Sequence, residues 1–118
     1  MFVLFIVLNK VDYLDDVLEA LVKQGVRGAT IFDSKGLAGA VVHRQMESIP
    51  LFGSFKTIID GAHPYNNTIF TVVSESILDD VVKAVQKVLS EVKHPGAGFM
   101  FTVPVGAIYD LGYKQKKN

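Results

Sequence analysis

The chain has 118 residues, of which 49% are hydrophobic and 10% aromatic, enough to build the core of one domain, since a chain this size hides about two thirds of its unfolded surface. Twelve Lys plus Arg balance twelve Asp plus Glu, which argues against disorder and against a strongly electrostatic nucleic-acid binder. With no cysteine there is no disulfide, thiolate nucleophile or Cys-built zinc site, and a reducing, cytoplasmic compartment is the expectation.

The first element is the apolar run Met1 to Leu8. It is far shorter than the ~20 residues that span a bilayer, and it lacks a basic leader and a small-residue cleavage site. It predicts a buried strand over Phe2 to Leu8 and no direct membrane insertion. Leu14, Val17, Leu18, Leu21 and Val22 then fall on one helical face, with Asp12 placed to cap, Asp15 and Asp16 in the first turn and Gly25 placed to stop. A second strand is predicted over Val26 to Asp33.

Residues 36 to 66 make a connection about twice the ordinary length, expected to be a functional, mobile segment. It is also apolar, with Ile49-Pro50-Leu51-Phe52-Gly53-Ser54-Phe55 and Thr57-Ile58-Ile59. Such stretches are costly to leave in water, which predicts short strands or docking on a partner. Thr68 to Val73 reads as a third strand. Leu78, Val81, Val82, Val85, Leu89 and Val92 form a second helical stripe with Ser74 or Ser76 as its cap, and Phe99 to Val105 reads as a fourth strand. One domain over residues 1–112 is expected, followed by a solvated basic tail at 113–118.

Leu14-Asp15-Asp16-Val17-Leu18-Glu19-Ala20-Leu21-Val22-Lys23 recurs as Leu78-Asp79-Asp80-Val81-Val82-Lys83-Ala84-Val85-Gln86-Lys87. Each copy lies between two strands, so the order is βαβ followed by βαβ. The expected class is α+β, a ferredoxin-like plait whose antiparallel sheet carries both helices on one face. The first strand is nevertheless apolar on both sides, with Phe2, Leu4, Ile6 and Leu8 against Val3, Phe5 and Val7. The fourth sets Phe99, Phe101 and Val103 against Met100. A strand of that kind is covered on both faces, which predicts a homo-oligomer packed through its open sheet faces or, alternatively, a long connection folded over that face.

Candidate chemistry is sparse. In His94-Pro95-Gly96-Ala97-Gly98-Phe99 two glycines offer bare amides to a ligand, or simply turn the chain from helix to strand. The segment lacks the Lys and the following helix of a phosphate-binding P-loop. His43, His63 and His94, even with Glu47 and Asp60, have no metal-ligand spacing, so no metal is assigned. His43 with Asp60 or Ser48 does not make a catalytic set, and no catalytic residue is assigned. Asp15-Asp16 and Asp79-Asp80 suit the positive end of a helix. Arg44 with Gln45 is available for an anion or a partner carboxylate, or is simply solvated.

These residues resemble the PII nitrogen-regulatory signal-transduction superfamily over most of the chain. Leu14-Asp15-Asp16-Val17 with Glu19-Ala20-Leu21 is similar to its first helix, and Gly25-Val26-Arg27-Gly28-Ala29-Thr30 to its Gly-x-x-Gly-x-Thr approach to the second strand. Lys35-Gly36-Leu37 resembles the start of its long T-loop, and Gly96-Ala97-Gly98-Phe99-Met100-Phe101 its Gly-x-Gly-Lys-x-Phe run. The resemblance implies a trimer holding small effectors in clefts between subunits and engaging target proteins through the T-loop. Carried over by position, Thr30, Gly36, Leu37 and Ala38 form one wall of a cleft and Gly96 and Gly98 another.

The phosphate-binding charges depart from the family pattern. Gly39-Ala40 stands for its Arg-Gln pair, Asn66 and Phe99 for its lysines, and Asp110 and Gly112 for its paired arginines. Phosphate contacts rely on such charges, which weighs against ATP binding in the family manner. The resulting expectation is a non-enzymatic regulator of a transporter or enzyme, with nitrogen regulation the family's theme. No cofactor is assigned; an adenine nucleotide or another flat, weakly charged effector would lie against Phe99. Arg44 and Gln45 would complete the cleft, and Leu51, Phe52 and Phe55 would meet the partner. A metal-binding trimer similar to the divalent-cation tolerance family and a small dimeric α+β barrel enzyme are the alternatives.

Overall fold

In a computed structural model of the protein, residues 1–37, 65–92 and 96–112 are described. They form β1 (Phe2–Leu8), a 3-10 turn (Val11–Tyr13), α1 (Leu14–Lys23), β2 (Thr30–Lys35), β3 (Tyr65–Val73), α2 (Glu75–Leu89) and β4 (Gly98–Pro104). The four strands make one sheet in the order β2-β3-β1-β4, with every neighbouring pair antiparallel. This is the ferredoxin-like α+β plait expected from the repeated βαβ pattern.

The core follows from the two periodicities. Leu4, Ile6 and Leu8 of β1 and Ile69 of β3 share a sheet face and meet Val17 and Leu21 of α1 and Val81 and Val85 of α2; all eight are buried. Burying each such side chain contributes about 1.5–3 kcal/mol. Both helices therefore lie on one face, held by the a/d-like stripes read in the repeat. Thr71, also buried on that face, donates its hydroxyl to the carbonyl of Gly28 at 2.5 Å and so ties the α1–β2 connection to the sheet.

The strand limits differ from those read in the sequence. Residues 26–29 are not strand. Gly25, at φ +93°, turns the chain out of α1, and the amide of Val26 still bonds to the carbonyl of Leu21. Pairing starts at Thr30↔Phe70 and runs on to Lys35↔Tyr65, so β2 ends two residues later and β3 starts three residues earlier than expected. Asn66 and Asn67 normally favour turns. Here both are buried in the strand because their amides have partners, Asn67 Nδ2 donating to Asp33 Oδ1 at 2.8 Å and Asn66 meeting Ser34.

The helix caps also differ. The 3-10 turn leads directly into α1, so Tyr13 rather than Asp12 occupies the cap position, and no side chain caps the helix. Ser74 does precede α2, but its hydroxyl pairs with that of Ser76 at 2.9 Å and not with a backbone amide.

Candidate functional site

The antiparallel register brings the end of β2, the start of β3, the end of β1 and the start of β4 to one end of the sheet. Asp33 lies opposite Asn67, Asn67 opposite Leu8, and Leu8 opposite Gly98. Gly36 and Leu37, which lead into the long connection, and Gly96 and Gly98 therefore share that end. Thr30 does not. It begins β2, about 17 Å up the strand from Lys35 at the ordinary rise per residue, so one protomer alone does not unite it with Gly36. Ala38, Arg44, Gln45, Leu51, Phe52 and Phe55 lie outside the described residues, as do His43, His63, His94 and the tail.

The two glycines have different physical reasons. Gly98 has φ +152°, and a Cβ there would collide with the carbonyl of Val7, so β4 reaches β1 only through a residue without a side chain. Gly96 has φ +90° but open space around it, and its carbonyl accepts a hydrogen bond from Asn9 Nδ2 at 3.0 Å. The structural account of Gly98 is thus sufficient for its presence, whereas Gly96 stands at the exposed corner.

A groove of about 530 Å³ opens between α2 and the edge of β4, lined by Val82, Gln86, Leu89, Gly98, Phe99 and Met100 among others. A second cavity, of about 470 Å³, lies at the sheet end between Val11 and Leu14 and the polar groups of Asp33, Ser34, Tyr65 and Asn67. Among the described residues, no lysine or arginine lines either one. The groove beside β4 is lined mainly by apolar groups, whereas the sheet-end cavity also carries the Asp33 carboxylate.

The sheet face away from the helices carries a continuous aromatic row. Phe32 packs on Phe70 with ring centres 6.3 Å apart, Phe70 on Phe5 at 5.8 Å, Phe5 on Phe101 at 4.8 Å, and Phe101 on Phe99 at 6.1 Å. Phe32, Phe99 and Phe101 remain 46%, 60% and 44% exposed. No group of three or more potential metal ligands occurs among the described residues.

The sequence reading missed one feature of this end. Asn9, Ser34, Asn66 and Thr68 form a chain of side-chain hydrogen bonds that links β2, β3 and the residue just after β1. The only hint was polar residues at the ends of otherwise apolar strands, and without the register nothing indicated that they meet.

The sequence matches the family described as Nitrogen regulatory protein P-II over residues 2–112. The chain belongs to the P-II family. No curated protein sequence matches it significantly. Among solved structures it is similar to the Arabidopsis thaliana PII bound to citrate, with a TM-score of 0.60 and 17% identity, over 88% of this chain and 76% of that one. At that identity the likeness shows the fold alone, and it agrees with the P-II plait built above. No helix among the described residues is long and apolar enough to cross a membrane.

Proposed function

We propose that this P-II family protein is a non-enzymatic regulator, cytoplasmic and homotrimeric, that holds a small effector in clefts between subunits and controls a target protein through segment 36–66. The observation that carries the reading is the family match across nearly the whole chain. The phenylalanine row, partly exposed among the described residues, supports assembly, because an apolar face of this extent is stabilised by burial against other copies. Gly36 and Leu37 leave β2 while Gly98 and Phe99 open β4, and β2 and β4 are the two outer strands of the sheet. Residues from opposite edges line one cleft readily when subunits meet side by side.

The apolar lining of the groove beside β4 supports an effector held by a flat, weakly charged group against Phe99. Such an effector switches the target only if it favours one state of the segment over another. Leu51, Phe52 and Phe55 with Gln45 are the proposed target contact, and Arg44 completes the cleft.

Light scattering gives the first test, with the mass of a trimer expected and a stable monomer or dimer overturning the assembly. Thermal shift then compares adenosine, AMP, ATP, 2-oxoglutarate and bicarbonate, since a ligand of the native state raises the melting temperature. Adenosine and ATP giving similar shifts is the expected result. A shift that grows with each phosphate would overturn the neutral-site reading. Retention of a captured target by Leu51→Ser and Phe52→Ser would remove the proposed contact.

A further inference from the structure

Among the described residues of the four strands, no charged side chain alternates onto the sheet face away from the helices. Asp33 and Lys35 fall on the helix side, in step with Ile31, which lies opposite the buried Ile69. The open face has two chemically different ends. Past the phenylalanine row, one end is closed by valines, Val3 pairing with Val72 on one side and with Val103 on the other. The other end, at the foot of the long connection, is polar. Ser34 Oγ lies 2.8 Å from Thr68 Oγ1 and meets Asn66 Oδ1, while Asn66 Nδ2 donates to Asn9 Oδ1 at 3.4 Å.

The solvent side of an antiparallel sheet ordinarily carries polar and charged residues. A face that packs on copies of itself is under a different constraint, because symmetry sets any charge near the axis against its own like. A face without charge therefore fits a second copy of this chain. Apolar contact is non-directional, so phenylalanines alone would let two copies slide or meet end for end. The polar end removes that freedom. Ser34 and Thr68 are half-buried, and a hydroxyl donates one proton and accepts at two lone pairs. With polar ends together, these hydroxyls can bond to those of the next copy. With ends reversed, they lose water against valines and gain no partner, which is costly.

We propose that Ser34, Asn66 and Thr68 set the register of subunit assembly, obliging the open faces of neighbouring copies to meet with their polar ends together. The inference rests on the assembly reading above and adds to it the side chains that select one packing over its reverse.

The chain has no cysteine, so introduced thiols report contacts without background. Val3 and Val7 lie on the open face of β1, about 13 Å apart at the ordinary rise per residue; Val7 pairs with Thr68 and Val3 with Val72. After light scattering has shown the variants to be assembled, a thiol crosslinker shorter than that spacing is expected to join Val7→Cys copies to one another. It should give no mixed product when Val3→Cys and Val7→Cys chains are refolded together. With Ser34→Ala, Asn66→Val and Thr68→Val added, the mixed product is expected at a yield comparable to that between Val7→Cys copies. If the triple variant does not fold, Thr68→Val alone, which keeps the side-chain shape, is expected to give a smaller rise. Mixed product with the native cluster in place, or an unchanged pattern in an assembled variant, would overturn the register role and leave the assembly standing. A monomeric wild-type chain would overturn both.

Discussion

Gly98 sits against the carbonyl oxygen of Val7 with no room for a side chain between them, and this contact seats the first residue of β4 on the central strand. Gly98→Ala combines a backbone clash with a φ of +152°. The expected loss is about 2–4 kcal/mol in urea unfolding. Gly96→Ala has the strained φ without the clash and is expected to lose about 1 kcal/mol. Equal losses at the two positions would contradict this division.

Thr71→Val keeps the shape of a buried residue while deleting its hydrogen bond to the Gly28 carbonyl. A loss of about 1 kcal/mol is expected, with faster amide exchange in residues 26–29. A neutral result would show that the α1–β2 connection does not depend on that bond.

Ser74→Ala should cost less than about 0.5 kcal/mol, although a true N-cap serine costs about 1 kcal/mol on truncation. The reason is that the Ser74 hydroxyl is engaged with Ser76 and caps nothing. Thermal unfolding of Ser74→Ala beside Ser76→Ala measures this directly.

Phe101→Glu places a charge in the middle of the row Phe5–Phe101–Phe99. Because Phe101 is already 44% exposed in a protomer, far-ultraviolet circular dichroism should keep its native shape. Light scattering should fall to the 12.9 kDa of one chain. An unchanged oligomer would place the subunit interface elsewhere.

The sheet and both helices were legible because they rest on periodicity. The recurrence of Leu14-Asp15-Asp16-Val17 at Leu78-Asp79-Asp80-Val81 located two equivalent helices, and the alternation within β1 located the face they cover. The limits of β2 and β3 were not legible, because Asn66 and Asn67 favour turns until Ser34 and Asp33 are placed beside them by pairing. For the same reason the Asn9 series was hidden, its members being far apart in sequence and joined only by register. At the candidate site, the Gly-x-Gly motif was visible, but only the approach of Val7 separates the obligatory Gly98 from the freer Gly96.

The strand order has a consequence for how the chain comes together. β1 is the second inner strand of the sheet, yet both of its neighbours, β3 and β4, belong to the other half of the repeat, with Phe2 paired to Val73 on one side and to Pro104 on the other. During synthesis this entirely apolar strand therefore precedes both of its partners, one edge waiting for β3 and the other for β4. Contacts so distant along the chain form slowly, and an unpaired apolar edge is prone to aggregate. Substitutions in β4 that weaken its pairing with β1 would thus lower the yield of folded protein as well as its stability.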